Sequence, residues 1–467
     1  MNARSKTSVV GFLILLCSGC AVGPNYKKPA VPVPPEYRGL SPDQAGKSDA
    51  ASFGDQKWFD AFQDETLRDL IQTALKQNYD VRIAAARILE ARAQLGITRA
   101  DQFPSVAAGA SAANERIAQT AGRPSIETSA TQVSLSAAWE LDFWGKFRRA
   151  TESAQANLLS QEWARRQVIS SLVSDVASAY FQLRELDLEL EISRQTLESR
   201  KGSLKLTQIL ADGGATSMLD VRQAEQLVFT AAANIPDLER RIEQQENFIS
   251  ILLGKNPQAI DRGKPLVDQP HALEVPAGLP SSLLERRPDI REAEQQLIAT
   301  NAQIGVAKAA YFPQISLTAT GGYQSSALTG LFAGPAGLWT LGGSAVQPVF
   351  EGGRIRNSVR LAQARTEEAA LFYQRTVQQA FRDVSDSLVG YRKSQEFRIQ
   401  QEQLTHSAEE AQKLSNMRYK GGATSYLEVL DSDTRYFSAQ LSLAQAQLRE
   451  LQSLVQIYRS LGGGWQP

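Results

Sequence analysis

Cysteine and histidine are almost absent from this sequence, and their scarcity argues against several classes of protein. The chain of 467 residues has two cysteines, Cys17 and Cys20, both at the N-terminus, so disulfides cannot hold the rest of the fold together. The two histidines, His271 and His406, do not belong to a metal-like cluster with cysteines or carboxylates. The sequence therefore predicts no metal centre and no cofactor.

Net charge and long apolar runs are missing as well. The 50 basic and 50 acidic residues balance, so no positive field favours nucleic acid as a partner. Beyond the N-terminus, no apolar stretch approaches the roughly 20 residues that a membrane-spanning helix requires. These two absences argue against a nucleic-acid-binding protein and against a helical membrane protein.

Catalytic motifs are also absent. The chain has no G-x-S-x-G elbow and no phosphate-binding loop, and its glycine-rich pieces match no nucleotide-binding fingerprint. Asp431 and Asp433 could in principle act as paired catalytic carboxylates. On a heptad helix, however, a solvated or pore-lining position is the better interpretation. We predict that the protein is not an enzyme.

The N-terminus has the pattern of a secretory signal. An apolar run at 9–16 follows basic residues and leads through two small residues to Cys20. This pattern predicts a signal peptide over 1–19 and a lipoprotein acylated on Cys20, palmitate included, whose buried acyl chains add to membrane anchoring. Cys17 stands where a lipoprotein signal normally has leucine, so an uncleaved or unacylated anchor is the alternative. No aspartate follows Cys20 to retain the protein in the inner membrane.

Five residues in one order occur twice, separated by 421 − 213 = 208 residues. Paired glycines break a helix because glycine tolerates positive φ, and the Thr and Ser that follow can cap the next helix. Long stretches without proline, rich in Ala, Leu, Gln, Glu and Arg, flank both copies. Each copy therefore predicts the tip of a long helical hairpin. The copies are Gly213, Gly214, Ala215, Thr216 and Ser217, and Gly421, Gly422, Ala423, Thr424 and Ser425.

The repetition extends beyond these turns, so the chain is predicted to be a tandem duplication. Residues 80–104 match 289–313 at a constant offset of 209, with nine identities that end in Phe-Pro. The predicted organisation is a signal peptide at 1–19, a lipid-anchored tether at 20–57 that is extended rather than packed, a first repeat at 58–260, a linker at 261–286 and a second repeat at 287–467.

Each half is predicted to contain a helix, two strands and two long helices. The helices at 66–101 and 288–310 stop before a proline, after which the apolar period changes from 3.6 to 2. Apolar alternation is clear at 133–143 and 315–323 and weak in the fourth strand, near 338–350. Asp64 is the expected cap of the first helix, which Trp58, Phe59 and Phe62 help to open, and loops are expected at 114–128 and 325–337.

Strand segments of about ten residues with one apolar face are typical of transmembrane barrels, and they also fit an ordinary half-buried sheet. If they cross a membrane, four strands cannot close a barrel, since bacterial barrels start at about 8 strands. Two protomers would supply 8 strands and three would supply 12. Composition and periodicity do not choose between these assemblies.

The remaining sequence predicts coiled-coil helices. The last helix carries a 3-4 apolar repeat from Leu427 through Leu430, Thr434 and Phe437 to Tyr458. Its counterpart in the first half contains Pro236, so a kink or break is expected near 234–237.

Several motifs together resemble one family. They are Val22-Gly23-Pro24-Asn25-Tyr26, Trp58-Phe59-x-x-Phe62, Trp139-Glu140-Leu141-Asp142, Glu285-Arg286-Arg287-Pro288-Asp289 and Gln347-Pro348-Val349-Phe350-Glu351-Gly352-Gly353. In motifs, order and duplication, essentially the whole mature chain resembles the TolC-like outer-membrane efflux proteins, lipoprotein branch (OprM/NodT).

The resemblance implies a mainly α protein with transmembrane β-strands, a homotrimer in which a 12-stranded β-barrel continues into a 12-helix α-barrel. It implies a location in the outer membrane that extends into the periplasm. Such proteins are passive exit ducts of tripartite efflux pumps for small molecules such as drugs. Their partners are a periplasmic adaptor and an inner-membrane transporter, and the resemblance makes the two Gly-Gly-Ala-Thr-Ser turns the tips that contact the adaptor.

The resemblance also implies a pore gate formed by Leu427, Asp431 and Thr434, which share one helical face. In the family the position of Thr434 often carries arginine, so a salt-bridge lock there is not expected. The alternative for Leu427 and Thr434 is that both fill the coiled-coil seam.

A different class of protein remains as the alternative reading. A periplasmic adaptor or another coiled-coil lipoprotein without a pore would also have a long hairpin. That hairpin would occur once, however, without duplicated strand pairs. The sequence does not indicate which molecules are transported.

Overall fold

The structure is a computed structural model that describes residues 21–38, 52–55, 64–119, 122, 124–269 and 275–465. The predicted signal peptide and Cys20 lie outside the described residues. So do Trp58, Phe59, Phe62 and His271.

Within the described residues the chain forms eight α-helices and four strands. In order they are α1 Glu65–Gln77, α2 Tyr79–Ala100, β1 Ser105–Ile117, β2 Ile126–Glu140, α3 Lys146–Asp212, α4 Met218–Leu252, α5 Pro280–Arg286, α6 Pro288–Ala309, β3 Gln314–Ser325, β4 Gly337–Val346, α7 Arg354–Lys420 and α8 Tyr426–Ser460. The long helices of the two halves are equal in length, with 67 residues in α3 and α7 and 35 in α4 and α8.

The first predicted helix is divided in two at Asn78. The Asn78 side-chain oxygen accepts hydrogen bonds from the backbone N–H groups of Asp80 and Val81, at 2.8 and 3.2 Å. Its amide donates to the carbonyl of Leu252 at 3.0 Å. A short amide side chain that bonds its own backbone favours a helix start, so one continuous helix over 66–101 was the wrong prediction. Asp64 caps α1 as predicted, through the N–H of Leu67.

Other boundaries also differ from the expectation. The predicted loop at 114–128 is shorter, because β1 continues to Ile117 and β2 begins at Ile126. Pro236 does not break α4, which runs without interruption through that position. Pro236 is exposed, so solvent can satisfy the carbonyl that loses its partner. Pro348 lies beyond the end of β4, where the missing N–H removes no ladder bond.

The helices and strands fall into two compact units, and each unit draws on both halves of the sequence. The first unit comprises the described parts of Met1–Ala30, Arg87–Glu162 and Glu292–Gln374. It contains one antiparallel sheet in the order β1-β2-β3-β4. Within this sheet β1 and β4 are the two edges.

The N-terminal segment is extended as predicted, but in this first unit it is packed rather than free. The N–H of Val22 donates to the carbonyl of Trp144 at 2.9 Å. Gly23, at φ 107°, crosses Gly305 of α6 so closely that a Cβ on Gly23 would lie 2.5 Å from the Gly305 Cα. Further along, Lys28 pairs with Glu294 at 3.3 Å. The prediction of an unpacked tether is therefore wrong for the described part of this segment.

The second unit comprises the described parts of Val31–Ala86, Trp163–Arg291 and Arg375–Pro467. Its core is built from apolar side chains with 5% exposure or less, among them Leu67, Ile71, Val173, Val176, Leu183, Val377, Val384, Leu451 and Ile457. These residues come from α1, α3, α7 and α8. Leu183 and Leu451, which belong to the heptad pattern that predicted coiled-coil packing, thus lie in this core.

Asp64 connects three segments of the second unit. Besides capping α1, its carboxylate accepts hydrogen bonds from the Tyr180 hydroxyl at 3.0 Å, from the Lys264 N–H at 2.9 Å and from the Gln269 amide at 2.9 Å. Burial alone would raise the pKa of this carboxyl group, but the hydrogen bonds from Gln269, Leu67, Tyr180 and Lys264 together lower it.

We expect Asp64→Ala to lower the free energy of unfolding by about 3 kcal/mol at neutral pH, because it leaves several buried donors without an acceptor. A carboxyl group whose pKa is lowered by folding contributes stability at pH values above its pKa in the unfolded chain. This contribution is lost as the pH falls through its pKa in the folded protein. The difference in free energy of unfolding between wild type and Asp64→Ala, measured by circular dichroism, should therefore become smaller at acidic pH. Asp69→Ala, exposed on the same helix, is the control; equal effects of both changes would contradict this role.

Candidate functional site

One face of the sheet in the first unit is apolar along most of its length. Directly paired residues share a face, and Leu135 of β2 pairs with Ala108 of β1 and with Gly321 of β3, which in turn pairs with Trp339 of β4. Its apolar part consists of Val106, Ala108, Ala110, Ala112, Val133, Leu135, Ala137, Trp139, Ile315, Leu317, Ala319, Gly321, Tyr323, Gly337, Trp339, Leu341, Gly343 and Ala345. At one end the same face carries the polar residues Asn114, Arg116, Glu127, Ser129, Thr131 and Ser325.

The opposite face is mostly polar. Ser134 of β2 pairs with Gly109 and Gly322, and Thr320 of β3 pairs with Thr340 of β4. The polar members of this face are Ser105, Ser111, Glu115, Thr128, Gln132, Ser134, Ser136, Glu140, Gln314, Ser316, Thr318, Thr320, Gln324, Thr340 and Ser344. The sheet thus has the apolar and polar alternation of a membrane barrel wall.

The apolar face is not covered by the chain. Leu135 is 60% exposed, Leu341 73% and Trp339 77%. An ordinary half-buried sheet would pack such a face against other elements of the protein. The exposure therefore favours contact with lipid over the ordinary-sheet alternative.

No helix among the described residues combines the length and the hydrophobicity needed to cross a membrane. The part of the chain that the structure describes also contains no group of three or more metal-ligating side chains.

The first predicted tip is a tight turn between α3 and α4. The N–H of Gly214 donates to the carbonyl of Ala211 at 2.9 Å, and the N–H of Ala215 donates to that of Leu210 at 2.8 Å. This pair of bonds is a Schellman motif, and it requires the left-handed conformation that Gly214 adopts at φ 73°.

The second tip repeats these bonds between α7 and α8. The N–H of Gly422 donates to the carbonyl of Tyr419 at 2.9 Å, and the N–H of Ala423 donates to that of Arg418 at 2.8 Å. Gly422 has φ 69°, whereas a Cβ on Gly421 would only touch two carbonyl oxygens at 3.5 and 3.6 Å. Both glycines of each pair were expected to break the helix, but only the second one, Gly214 or Gly422, adopts positive φ.

The helices that follow the two tips begin differently. Ser217 forms a capping box with Asp220, whose carboxylate also accepts from Thr216. Ser425 makes no side-chain cap, although Thr424 donates to Glu428. The expected Ser cap is therefore present at the first tip and absent at the second. In both turns the residues are exposed apart from the two threonines, which are half-buried.

The predicted gate residues share the exposed face of α8 near its start. Leu427 is 60% exposed, the Asp431 side chain is 60% exposed and Thr434 is exposed. The carboxylate of Asp431 pairs with the guanidinium of Arg435 at 2.8 Å, one turn further along. Sequence reasoning missed this pair, although its i, i+4 spacing is a recognisable signal.

In the described chain the seam of α8 near the tip does not contain Leu427 or Thr434. The buried positions there are Tyr426, Val429 and Ser432. Tyr426 and Val429 pack with Ala224 of α4 in one apolar cluster, which brings the two hairpins together beside their tips. The seam alternative for Leu427 and Thr434 is therefore wrong within one chain.

Arg200 of α3 joins this region through a buried ion pair that the sequence did not reveal. Its side chain is 3% exposed, and its Nε lies 2.8 Å from the carboxylate of Asp433 on α8. The same guanidinium donates to the carbonyl of Leu227 on α4 at 3.0 Å and lies over the ring of Phe437. Asp433 and Asp431 thus occupy different environments and do not form a carboxylate pair.

The comparisons with known proteins agree with this geometry. The family described as Outer membrane efflux protein matches residues 70–255 and 279–463. The toluene efflux pump outer membrane protein TtgC of Pseudomonas putida is 37% identical over 465 residues, covering 98% of this chain and 95% of TtgC.

Two further relatives cover nearly the whole chain. The cation efflux system protein CusC of Escherichia coli is 33% identical over 470 residues, covering 99% of this chain and 100% of CusC. The solved outer-membrane channel OprN is similar with a TM-score of 0.88 at 33% identity, covering 96% of this chain and 100% of OprN. These matches confirm the resemblance to TolC-like channels, and the chain belongs to the outer membrane efflux protein family.

Proposed function

We propose that three copies of this chain close a 12-stranded barrel in the outer membrane. The observation that carries the proposal is the four-stranded sheet with one apolar face, one polar face and two edges, β1 and β4. Backbone groups at an open edge would be unsatisfied in hydrocarbon, at several kcal/mol each. Pairing β4 of one protomer with β1 of the next removes every edge, and the apolar face then contacts lipid.

Membership of the family makes the protein an outer-membrane efflux channel that extends into the periplasm, and not an enzyme. The duplicated hairpins and this membership leave the adaptor alternative without support. We propose that the protein is the passive exit duct of a tripartite pump, supplied by a periplasmic adaptor and an inner-membrane transporter. One relative is named for toluene and another for cations, so the transporter, rather than this duct, is the expected source of selectivity.

We propose the two turns, 213–217 and 421–425, as the surfaces that contact the adaptor. Their support is the rigid Schellman geometry together with apolar side chains that remain exposed beside each turn. These side chains are Ile209, Met218 and Leu219 at the first tip and Met417 and Leu427 at the second.

We propose Leu427, Asp431 and Thr434 as the pore gate. Their exposure on one face of α8 supports this role, since a three-fold axis facing them would bring three Asp431 carboxylates together. The ion pair of Asp431 with Arg435 is exposed on both sides and contributes less than about 1 kcal/mol. The carboxylates therefore stay available to cations.

We propose that Cys20 is acylated and that the lipid adds to the anchoring of the barrel. Ala21, the first described residue, lies beside Gly145 close to the end of β2: a Cβ on Gly145 would come within 2.7 Å of the Ala21 Cα. An acyl chain attached one residue earlier would therefore begin close to the sheet that is proposed to cross the membrane.

Leu341→Arg is expected to reduce the amount of heat-modifiable trimer in the outer-membrane fraction, because an arginine in the middle of the apolar face costs about 2–4 kcal/mol. Thr340→Arg is the matched control, since it places the same charge one residue away on the polar face. That variant should assemble normally and change conductance. Equal assembly of both variants, or the reverse order, would refute the membrane-facing assignment.

Gly422→Val is expected to abolish efflux and crosslinking to the adaptor in cells while trimers still form. A side chain in the left-handed conformation costs about 2 kcal/mol, more for a β-branched residue, so the turn must change shape. Gly421→Val, which requires no positive φ, should stay close to wild type. Normal crosslinking by the Gly422 variant would move the docking site elsewhere.

Asp431→Ala is expected to raise single-channel conductance and to weaken block by divalent cations in planar bilayers, because it removes the proposed ring of carboxylates. Arg435→Ala should strengthen block by divalent cations, since it frees the Asp431 carboxylate from its ion pair with Arg435. If both variants keep wild-type conductance and block, Asp431 is not part of the gate.

A further inference from the structure

Two glutamates of α3 are buried one helical turn apart in the second unit. Glu185 is 2% exposed and Glu189 is 4% exposed, and their i, i+4 spacing places both carboxylates on one face of α3. Glutamate is almost never fully buried without a compensating charge. The sequence analysis did not single out either residue, and the proposed gate and tips use neither.

Two other helices contribute partners to this glutamate pair. The Arg241 guanidinium of α4 lies 3.4 Å from Glu189 Oε2, and the Gln445 amide of α8 donates to Glu189 Oε1 at 3.1 Å. On α3 itself, the Gln182 amide reaches Glu185 Oε2 at 3.4 Å. Three helices therefore meet at the pair, and α8 is held there through an uncharged amide.

The charges at this junction do not balance if both glutamates are ionised. The charges that act on Glu185 are those of Glu189 on its own helix and of Arg241 on α4, while the α8 side chain that bonds Glu189 is the neutral Gln445. One cation for two buried carboxylates leaves a net negative charge in a poorly solvated place. A single bound proton restores the balance.

We propose that Glu185 and Glu189 share one proton, and that this proton latches α8 onto α3. With the proton bound, the pair carries one negative charge, which Arg241 neutralises, and Glu189 keeps the hydrogen bond from Gln445. When the proton leaves to solvent, two adjacent carboxylates repel each other and compete for Arg241. Separation of α8 from α3 then hydrates Glu185 and relieves the repulsion.

The ionisation of Glu185 supports this arrangement. Burial raises the pKa of its carboxyl group, the hydrogen bond and the charge of Glu189 raise it further, and Arg241 opposes them, giving a value of about 8 against an ordinary 4.5. Because the pKa of Glu185 is raised in the closed state, the bound proton stabilises that state fully at pH values below the pKa of an ordinary glutamate. This stabilisation is lost as the pH rises through the raised pKa of Glu185. Opening should therefore become more favourable between about pH 5 and pH 8 and then level off.

The latch acts on the helix that carries the proposed gate. Gln445 and Asp431 both lie on α8, and the Arg200–Asp433 pair also ties this helix to α3. The latch and this ion pair differ in one respect, because an arginine pair does not respond to pH in this range. The proton-sharing pair thus makes one of the attachments of α8 to α3 sensitive to the acidity of its surroundings.

Infrared spectroscopy of the detergent-solubilised full-length protein tests the shared proton directly. Wild type should show the carbonyl band of a protonated carboxylic acid at pH 7, and the band should fade above about pH 8. Glu185→Gln, which imitates the protonated side chain, should lack the band. Glu239→Gln is the control because Glu239 of α4 pairs with Arg194 of α3 in an exposed position, and it should keep the band. Absence of the band from wild type at pH 7 would overturn the proposal.

Hydrogen exchange along α8 tests the latch. After correction for intrinsic rates, exchange around Gln445 in wild type should accelerate by up to about tenfold per pH unit between pH 6 and pH 8, because one proton is released on opening. Glu185→Gln should show no such acceleration, and Glu239→Gln should behave like wild type. Equal pH dependence in wild type and Glu185→Gln would show that the pair does not hold α8.

Discussion

The pairing of backbone groups at the edges of the sheet is the constraint on which the other features depend. Hydrocarbon offers no partner for an unpaired N–H or carbonyl group, so a membrane sheet must close on itself. One chain supplies four strands, with β1 and β4 left as edges. Under the proposed closure, neighbouring copies of the chain pair with these edges, and the helices attached to the strands share the symmetry of the barrel.

The sequence predicted those elements whose period is visible in the residue types. Strands β2 and β3 alternate clearly, and the long helices lack proline for tens of residues. The end of β1 was assigned to a loop because Asn114, Glu115 and Arg116 are polar. Polar residues are tolerated at the end of a membrane strand, where the strand leaves the hydrocarbon. Polar composition there does not distinguish the end of a strand from a loop.

Side-chain partners far apart in sequence account for most of what could not be predicted. Arg200 meets Asp433 across 233 positions and Gln445 meets Glu189 across 256, and no local pattern indicates either contact. The tips were found because a glycine pair is a local signal. Even so, only the φ values show that Gly422, and not Gly421, is the constrained residue.

The two halves of the chain keep the same backbone hydrogen bonds while their side chains have diverged. Met218 at the start of α4 is 58% exposed, whereas Tyr426 at the corresponding place in α8 is 3% exposed. Likewise Gly305 of α6 is crossed by the N-terminal segment, and Gly96 of α2 has nothing within 4 Å of an added Cβ. The backbone turns are thus common to both repeats, whereas side-chain contacts such as that of Tyr426 occur in only one repeat.

The equal lengths of the paired helices limit how such a chain can evolve. Deleting one residue from α3 would turn every side chain beyond the deletion by about 100° around the helix axis, so that buried positions such as Leu183 and Arg200 would exchange places with exposed ones. Insertions and deletions in these helices are therefore tolerated only in steps of about seven residues, which restore the facing of the apolar stripe. A change of about seven residues in α3 alone would shift the first tip along the helix axis relative to the tip that follows α7. The two copies must therefore change length together.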